Sequence, residues 1–190
     1  MEKGYGKDIK KIVITGAEST GKSTLTKELA SHFKTSFVPE YARTFVENLD
    51  RKYDYEDLTH IAQMQMKLVR ETEKDAQEYL FIDTFLIIMK IWFEEVFNKY
   101  PEWIDDTFYH NQIDLYLVCN TDIPWISDSV RENGGLKREN LHKKYINQLD
   151  YYKLPYKIVS GVDSERTNMA LKYIHSYFTK ETLNYGNEEI

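Results

Sequence analysis

Residues 16–23 read Gly-Ala-Glu-Ser-Thr-Gly-Lys-Ser and satisfy G-x-x-x-x-G-K-[ST] at every fixed position. No other stretch restricts the fold as tightly, because this pattern works only between a buried strand and the helix that follows it. Both neighbours are present. Lys11-Ile12-Val13-Ile14-Thr15 reads as a buried strand, and Thr24 to Phe33 reads as a helix with one apolar face. Gly16 and Gly21 permit backbone angles that side chains with a Cβ resist. The loop is then free to turn its N–H groups inward as an anion nest, and the helix points its positive dipole end at the same spot. In that setting Gly16, Ala17, Glu18, Ser19, Thr20, Gly21, Lys22, Ser23 and Thr24 are expected to cradle a nucleoside triphosphate. Lys22 reaches the β- and γ-phosphates and the Ser23 hydroxyl ligates Mg²⁺.

The rest of the chain fits an α/β domain. Four further short apolar segments join the first strand: 36–38, 80–82, 114–119 and 156–159, with helical stretches between them. Residues 56–78 place Leu58, Ile61, Ala62, Met64 or Gln65, Leu68 and Val69 at helical spacing. Residues 84–99 are helical but apolar over most of their surface, as in a buried helix. Ser164 is placed to cap a last helix that carries Met169, Ala170, Tyr173, Ile174 and Phe178 on one face. Alternating strands and helices predict a three-layer fold, a five-stranded parallel sheet flanked by helices. Residues 1–9 are expected to be a loose lead-in to a single domain over 10–190. A chain of 190 residues suffices for one such core.

Composition narrows the partners. A net charge of −6 and the lack of a basic run disfavour nucleic acid. Cys119 is the only cysteine, which excludes an internal disulfide and a cysteine-based zinc site. The N-terminal residues lack an apolar signal core and the apolar runs are too short to span a bilayer, so a reducing cytoplasm is the expected compartment. Oligomeric state is not readable from the chain.

In a parallel sheet, ligands bind beyond the carboxyl ends of the strands, which selects candidate residues by position. After the second strand stand Glu40, Tyr41 and Arg43. The carboxylate suits accepting a proton from a substrate hydroxyl, and the arginine suits clamping a phosphate. The alternative is an ordinary helix-start acid with a surface arginine. After the third strand comes Asp83, expected to hold Mg²⁺, to cap the following helix, or to do both. Whether Glu40 or Asp83 is the general base is left open by the sequence. Residues 121–138 form a polar, glycine-bearing stretch with Trp125, Asp128, Arg131 and Arg138. It reads either as a lid whose arginines stabilise charge on a transferring phosphoryl group or as a solvated loop. Tyr41 and Trp125 are placed to stack on a base.

These motifs together resemble the nicotinamide-riboside kinase domain of NadR-type proteins. The likeness runs over roughly residues 10–180. It is carried by the loop at 16–23, Glu40-Tyr41-Ala42-Arg43, Phe81-Ile82-Asp83-Thr84, Trp125 to Arg131, and Leu154-Pro155-Tyr156. It implies a P-loop kinase fold, ATP and Mg²⁺ as cofactors, and phosphorylation of a riboside 5′-hydroxyl. It also implies substrate roles for Glu40, Tyr41 and Arg43, a catalytic or metal role for Asp83, and lid roles for Trp125 and Arg131. Two departures bear on the acceptor. Phe85 stands where the family often has a second acid, and Pro39 stands where some members have a tryptophan. The 125–131 run is also similar to the I-S-S-T-x-x-R run of nucleotidyl transferases, but the H-x-G-H those enzymes need upstream is absent.

Overall fold

The structure, a computed structural model, describes residues 8–110, 112–126 and 135–185, with side chains to residue 179. Chain order is β1 (Lys10–Thr15), α1 (Lys22–Phe33), β2 (Phe37–Val38), α2 (Tyr41–Glu47), α3 (Tyr55–Thr72), β3 (Tyr79–Asp83), α4 (Leu86–Phe97), α5 (Trp103–Tyr109), β4 (Leu115–Cys119), α6 (Leu136–Tyr151), β5 (Tyr156–Val159) and α7 (Ser164–Tyr185). The strands form one parallel sheet in the order β2-β3-β1-β4-β5. This is the three-layer P-loop kinase architecture expected from the sequence.

The sheet is apolar on both faces because helices cover both. Val13, Leu80, Ile82, Tyr116 and Val118 pack against α3, α4 and α6 on one side. Ile12, Ile14, Phe81, Leu115 and Leu117 pack against α1 and α7 on the other. β1 therefore leaves toward the α1 face, while its neighbours β3 and β4 leave toward the opposite face. The chain parts above the carboxyl end of β1, which is where a doubly wound sheet opens a ligand crevice.

Several boundaries differ from the sequence expectation. The first long helix runs from Tyr55 to Thr72, started by a reciprocal Asp54–Asp57 capping box, and a short 3₁₀ turn at Glu73–Asp75 follows it. The helix expected from Thr84 begins only at Leu86, because Thr84 sits in the left-handed region at φ 65°. Asp83 therefore does not cap α4: its N-cap is Phe85, with no side-chain cap bond. Ser164 is the first residue of α7. The short helix α5 carried no sequence signal of its own. Cys119 is fully buried, as its strand position implied. Of the proposed lid, residues 127–134 lie outside the described residues, as do Asp128 and Arg131.

Candidate active site

The loop between β1 and α1 owes its path to backbone that only certain residues tolerate. Gly16 has φ 134°, and a Cβ there would lie 2.7 Å from the carbonyl oxygen of Cys119 on β4. Glycine is thus dictated by close approach to the neighbouring strand as well as by torsion. Gly21 (φ 77°) and Ser19 (φ 56°) are also left-handed. The Thr20 hydroxyl donates to the Ala17 carbonyl at 2.8 Å, and the Lys22 ammonium donates to the same oxygen at 3.0 Å, so the lysine lies across the loop. α1 starts at Lys22 with no side-chain cap and no acid in its first turn. Its leading N–H groups are thereby left for an anion. Ser23 and Thr24 stand exposed at that end.

Two buried arginines brace the loop from beneath. Arg138, on the first turn of α6, donates to Ser19 O at 2.8 Å and to Ile123 O at 2.7 Å. The sequence suggested a lid cation facing the phosphates, whereas the structure places both terminal nitrogens on loop carbonyls. Arg166 on α7 donates to Gly161 O at 2.9 Å and to Thr20 O, and pairs with Asp122. A third tie links the loop to the segment before the lid: Ser19 Oγ accepts from Ile126 N at 3.0 Å.

The carboxylates selected by position converge on this loop. Asp83 ends β3 and is 3% exposed. Burial raises its pKa, while a hydrogen bond from Ser23 and the charges of Lys22, Lys27 and Arg43 pull the other way. Glu40 occupies the N-cap position of α2 but makes no cap bond. Although half-open to solvent, it is closely enclosed by protein atoms, and that desolvation raises its pKa. Lys22 and Arg43 lower it, Asp83 and Glu18 raise it. Glu40 and Asp83 thus both feel the charges of Lys22 and Arg43, and Glu40 feels that of Asp83. An acid from each of two strand ends lies within the electrostatic reach of the phosphate-loop lysine.

Mg²⁺ fits these residues. Asp83 Oδ1 is buried without a hydrogen-bond partner among the described residues, and the Ser23 hydroxyl donates to the same carboxyl group. No group of three or more His, Cys, Asp or Glu that could hold a metal is found among the described residues.

The remaining expected residues have distinct surroundings. Tyr41 packs its ring near Phe45 and His60, and its hydroxyl lies 3.3 Å from His60 Nε2. Arg43 pairs with Glu47 one turn on at 3.4 Å. Trp125 is half-buried, and its indole N–H is enclosed without a partner among the described residues. Three residues escaped the sequence reading. Tyr145 on α6 is buried; that desolvation, and to a lesser degree the charges of Glu18 and Glu40, raise its pKa. Arg166 is the second brace. Gln65 sits inside the apolar stripe of α3, 3% exposed, and a polar residue in such a stripe is the one signal that was available. A cavity of about 520 Å³ between α3 and α5, lined by Lys11, Met66, Arg70, Phe85, Trp103 and Phe108 among others, contains none of the motif residues. No helix among the described residues is long and apolar enough to cross a membrane.

The trifunctional NAD biosynthesis/regulator protein NadR of Salmonella typhimurium is 24% identical over 161 residues, 75% of this chain and 39% of NadR. Solved NadR structures superpose with TM-scores of 0.71 (in complex with NAD and AMP-PNP, 24% identity) and 0.70 (in complex with NR, 23% identity). Each match covers 89% of this chain and 49% of the NadR chain. Deoxyadenosine kinase from M. mycoides, with dCMP and dCDP bound, superposes at 0.60 with 17% identity over 87% of this chain and 99% of its own. The chain thus spans from 32% to 49% of the NadR proteins it matches, and the structural likenesses establish the P-loop kinase fold. The AAA domain family matches residues 11–166, from the first strand through the second loop-bracing arginine, and the chain belongs to that family.

Proposed function

We propose that this chain transfers the γ-phosphoryl group of ATP to a nucleoside hydroxyl, and that the acceptor is nicotinamide riboside. The observation that carries the reading is the pair of acids around Lys22. One, Asp83, lies beside Ser23 at the metal position. The other, Glu40, follows a different strand and feels the charge of the same lysine. An ATP-binding switch needs the first acid only; a kinase needs the second for its acceptor. Phosphoryl transfer depends mainly on positioning and charge neutralisation, and these residues supply both. The loop N–H groups and Lys22 hold the phosphates. Ser23 and Asp83 would hold Mg²⁺, which neutralises phosphate charge when bound. Glu40 would accept the acceptor hydroxyl proton, and its raised pKa supports that role by bringing it nearer working pH. Arg43 would clamp a phosphate beside the acceptor; the 121–138 segment with Arg131 would serve as the lid, with Tyr41, Trp125 and Asp128 on the acceptor side. The NAD-related relatives support nicotinamide riboside in particular.

A second reading keeps the reaction and changes the nucleoside. Two observations favour it: Phe85 is buried in the core where an acid is common, and Pro39 replaces a ring. One panel separates the readings. Purified protein, Mg-ATP and a set of ribo- and deoxyribonucleosides including nicotinamide riboside are incubated, and phosphorylated products are identified by mass. Nicotinamide mononucleotide is expected. Product from another nucleoside alone selects the second reading, and ATP turnover unaffected by every nucleoside overturns both.

A further inference from the structure

Gln65 projects from the middle of α3 into the gap between the ends of β2 and β3, where it is 3% exposed. Its side-chain oxygen accepts from the Tyr41 N–H at 2.9 Å. Its side-chain nitrogen faces three carbonyls, Pro39 at 3.3 Å, Thr84 at 3.3 Å and Asp83 at 3.5 Å. The oxygen meets a donor and the nitrogen meets only acceptors, so the amide orientation follows from its surroundings. One side chain thus holds the backbone on both sides of Glu40 and the backbone of Asp83 and its successor.

Two details give this arrangement chemical content. Tyr41 is the first residue of α2, and its N–H is one of the helix-end donors that an N-cap region must satisfy. Glu40 is the N-cap residue and an acid, yet it makes no cap bond. Gln65 meets that N–H, and the Glu40 carboxylate, free of a cap bond, lies within the electrostatic influence of Lys22 and Asp83. Thr84 is in the left-handed region at φ 65°, a costly conformation for a threonine. It persists because its N–H is held by Ile14 O at 3.0 Å and its carbonyl by Gln65. The turn out of β3 that aims Asp83 is therefore pinned from β1 and from α3.

On the kinase reading above, we infer that Gln65 is the positioning residue that sets the acceptor-side acid Glu40 against the metal-side acid Asp83. It does not touch the reacting groups; it fixes the distance between the two chain ends that carry them. None of its hydrogen bonds goes to the phosphate loop, Lys22 or Ser23. Losing the tether should leave ATP binding in place and misalign the acceptor. Misplacements near 1 Å cost on the order of a hundredfold in rate.

The experiment compares wild type with Gln65→Met, which keeps the volume and loses every hydrogen bond, and Gln65→Glu, which keeps the acceptor for Tyr41 N–H and loses the amide donors. Three quantities are read for each: melting temperature, KM for Mg-ATP, and the ratio of phosphorylated nucleoside to total ADP formed. The nucleoside is nicotinamide riboside, or whichever member of the panel wild type phosphorylates. The expected result is a KM for ATP within about threefold of wild type and a transfer-to-ADP ratio lowered at least about tenfold in both variants, as phosphoryl transfer to water persists while transfer to the acceptor fails. A merely structural role would lower both products in parallel and leave the ratio unchanged, which overturns the inference. Failure of both variants to fold assigns Gln65 to scaffolding and also overturns it. A wild type that phosphorylates no nucleoside overturns the kinase reading, and the inference with it.

Discussion

Replacing Arg166 by methionine isolates what the buried brace under the phosphate loop contributes. The side chain is 4% exposed and its guanidinium donates to Gly161 O at 2.9 Å and to Thr20 O. Methionine fills much of the space with an unbranched chain and donates nothing, so these carbonyls lose their partner. A buried acceptor left unmet costs about 1–3 kcal/mol. The ion pair with Asp122 adds less, because Asp122 is 31% exposed and solvent screens it; about 0–1 kcal/mol is the scale of such pairs. For two carbonyls and the ion pair the sum is about 2–7 kcal/mol. For a chain of this size each kcal/mol moves the melting temperature by roughly 2–4 °C, so thermal unfolding of Arg166→Met should fall by on the order of 10 °C. Asp122→Asn is the control and should cost no more than about 3 °C on the same scale. Because Thr20 lies in the loop, KM for ATP in Arg166→Met should rise too. A melting temperature within about 2 °C of wild type would refute the claim that the carbonyl bonds carry the energy. Equal losses in Arg166→Met and Asp122→Asn would assign that energy to the ion pair.

Other perturbations test the site directly. Lys22→Ala should lower nucleoside-dependent turnover at least about a hundredfold with thermal unfolding nearly unchanged; wild-type turnover would sink the phosphate role of the loop. Gly16→Ala combines φ 134° with a Cβ 2.7 Å from Cys119 O and should destabilise by at least about 2 kcal/mol, read as a lower urea midpoint; an unchanged midpoint contradicts the close-approach account. Glu40→Gln should abolish transfer yet raise the melting temperature at pH 7. Its folded-state pKa is raised above the ordinary value of 4.5, so ionisation above that range costs the folded state stability that glutamine does not lose. The gain should vanish as pH falls below the ordinary value, where both states are protonated; a variant less stable than wild type at pH 7 would show that Lys22 and Arg43 outweigh desolvation.

Much of the site was legible because it is written in short-range chemistry. Gly16, Gly21, Lys22 and Ser23 occur at intervals that one turn and one helix start impose, and the apolar run before Asp83 announced a strand end. What escaped were residues whose importance arises between elements. Gln65 looked like an interruption of an apolar stripe. Its meaning depends on α3 crossing the ends of β2 and β3, two segments separated from it by 26 and 18 residues. Tyr145 and Arg166 are ordinary helix residues until α6 and α7 fold back over the loop. Asp83 as a cap for α4 failed for a local reason invisible in residue type: Thr84 adopts a left-handed turn, and the helix starts two residues later.

The division follows from how the energy is distributed. The sequence by itself determined the alternation of strands and helices, the parallel sheet and the anion-binding loop, because hydrophobic period and glycine torsion act within a few residues. Tertiary structure alone decided which acid is buried, which arginine braces a carbonyl, and how Glu40 comes to stand uncapped opposite Lys22. Desolvation and hydrogen-bond partners are properties of the space between elements, and that space exists only once β1 and its neighbours have sent their helices to opposite faces of the sheet.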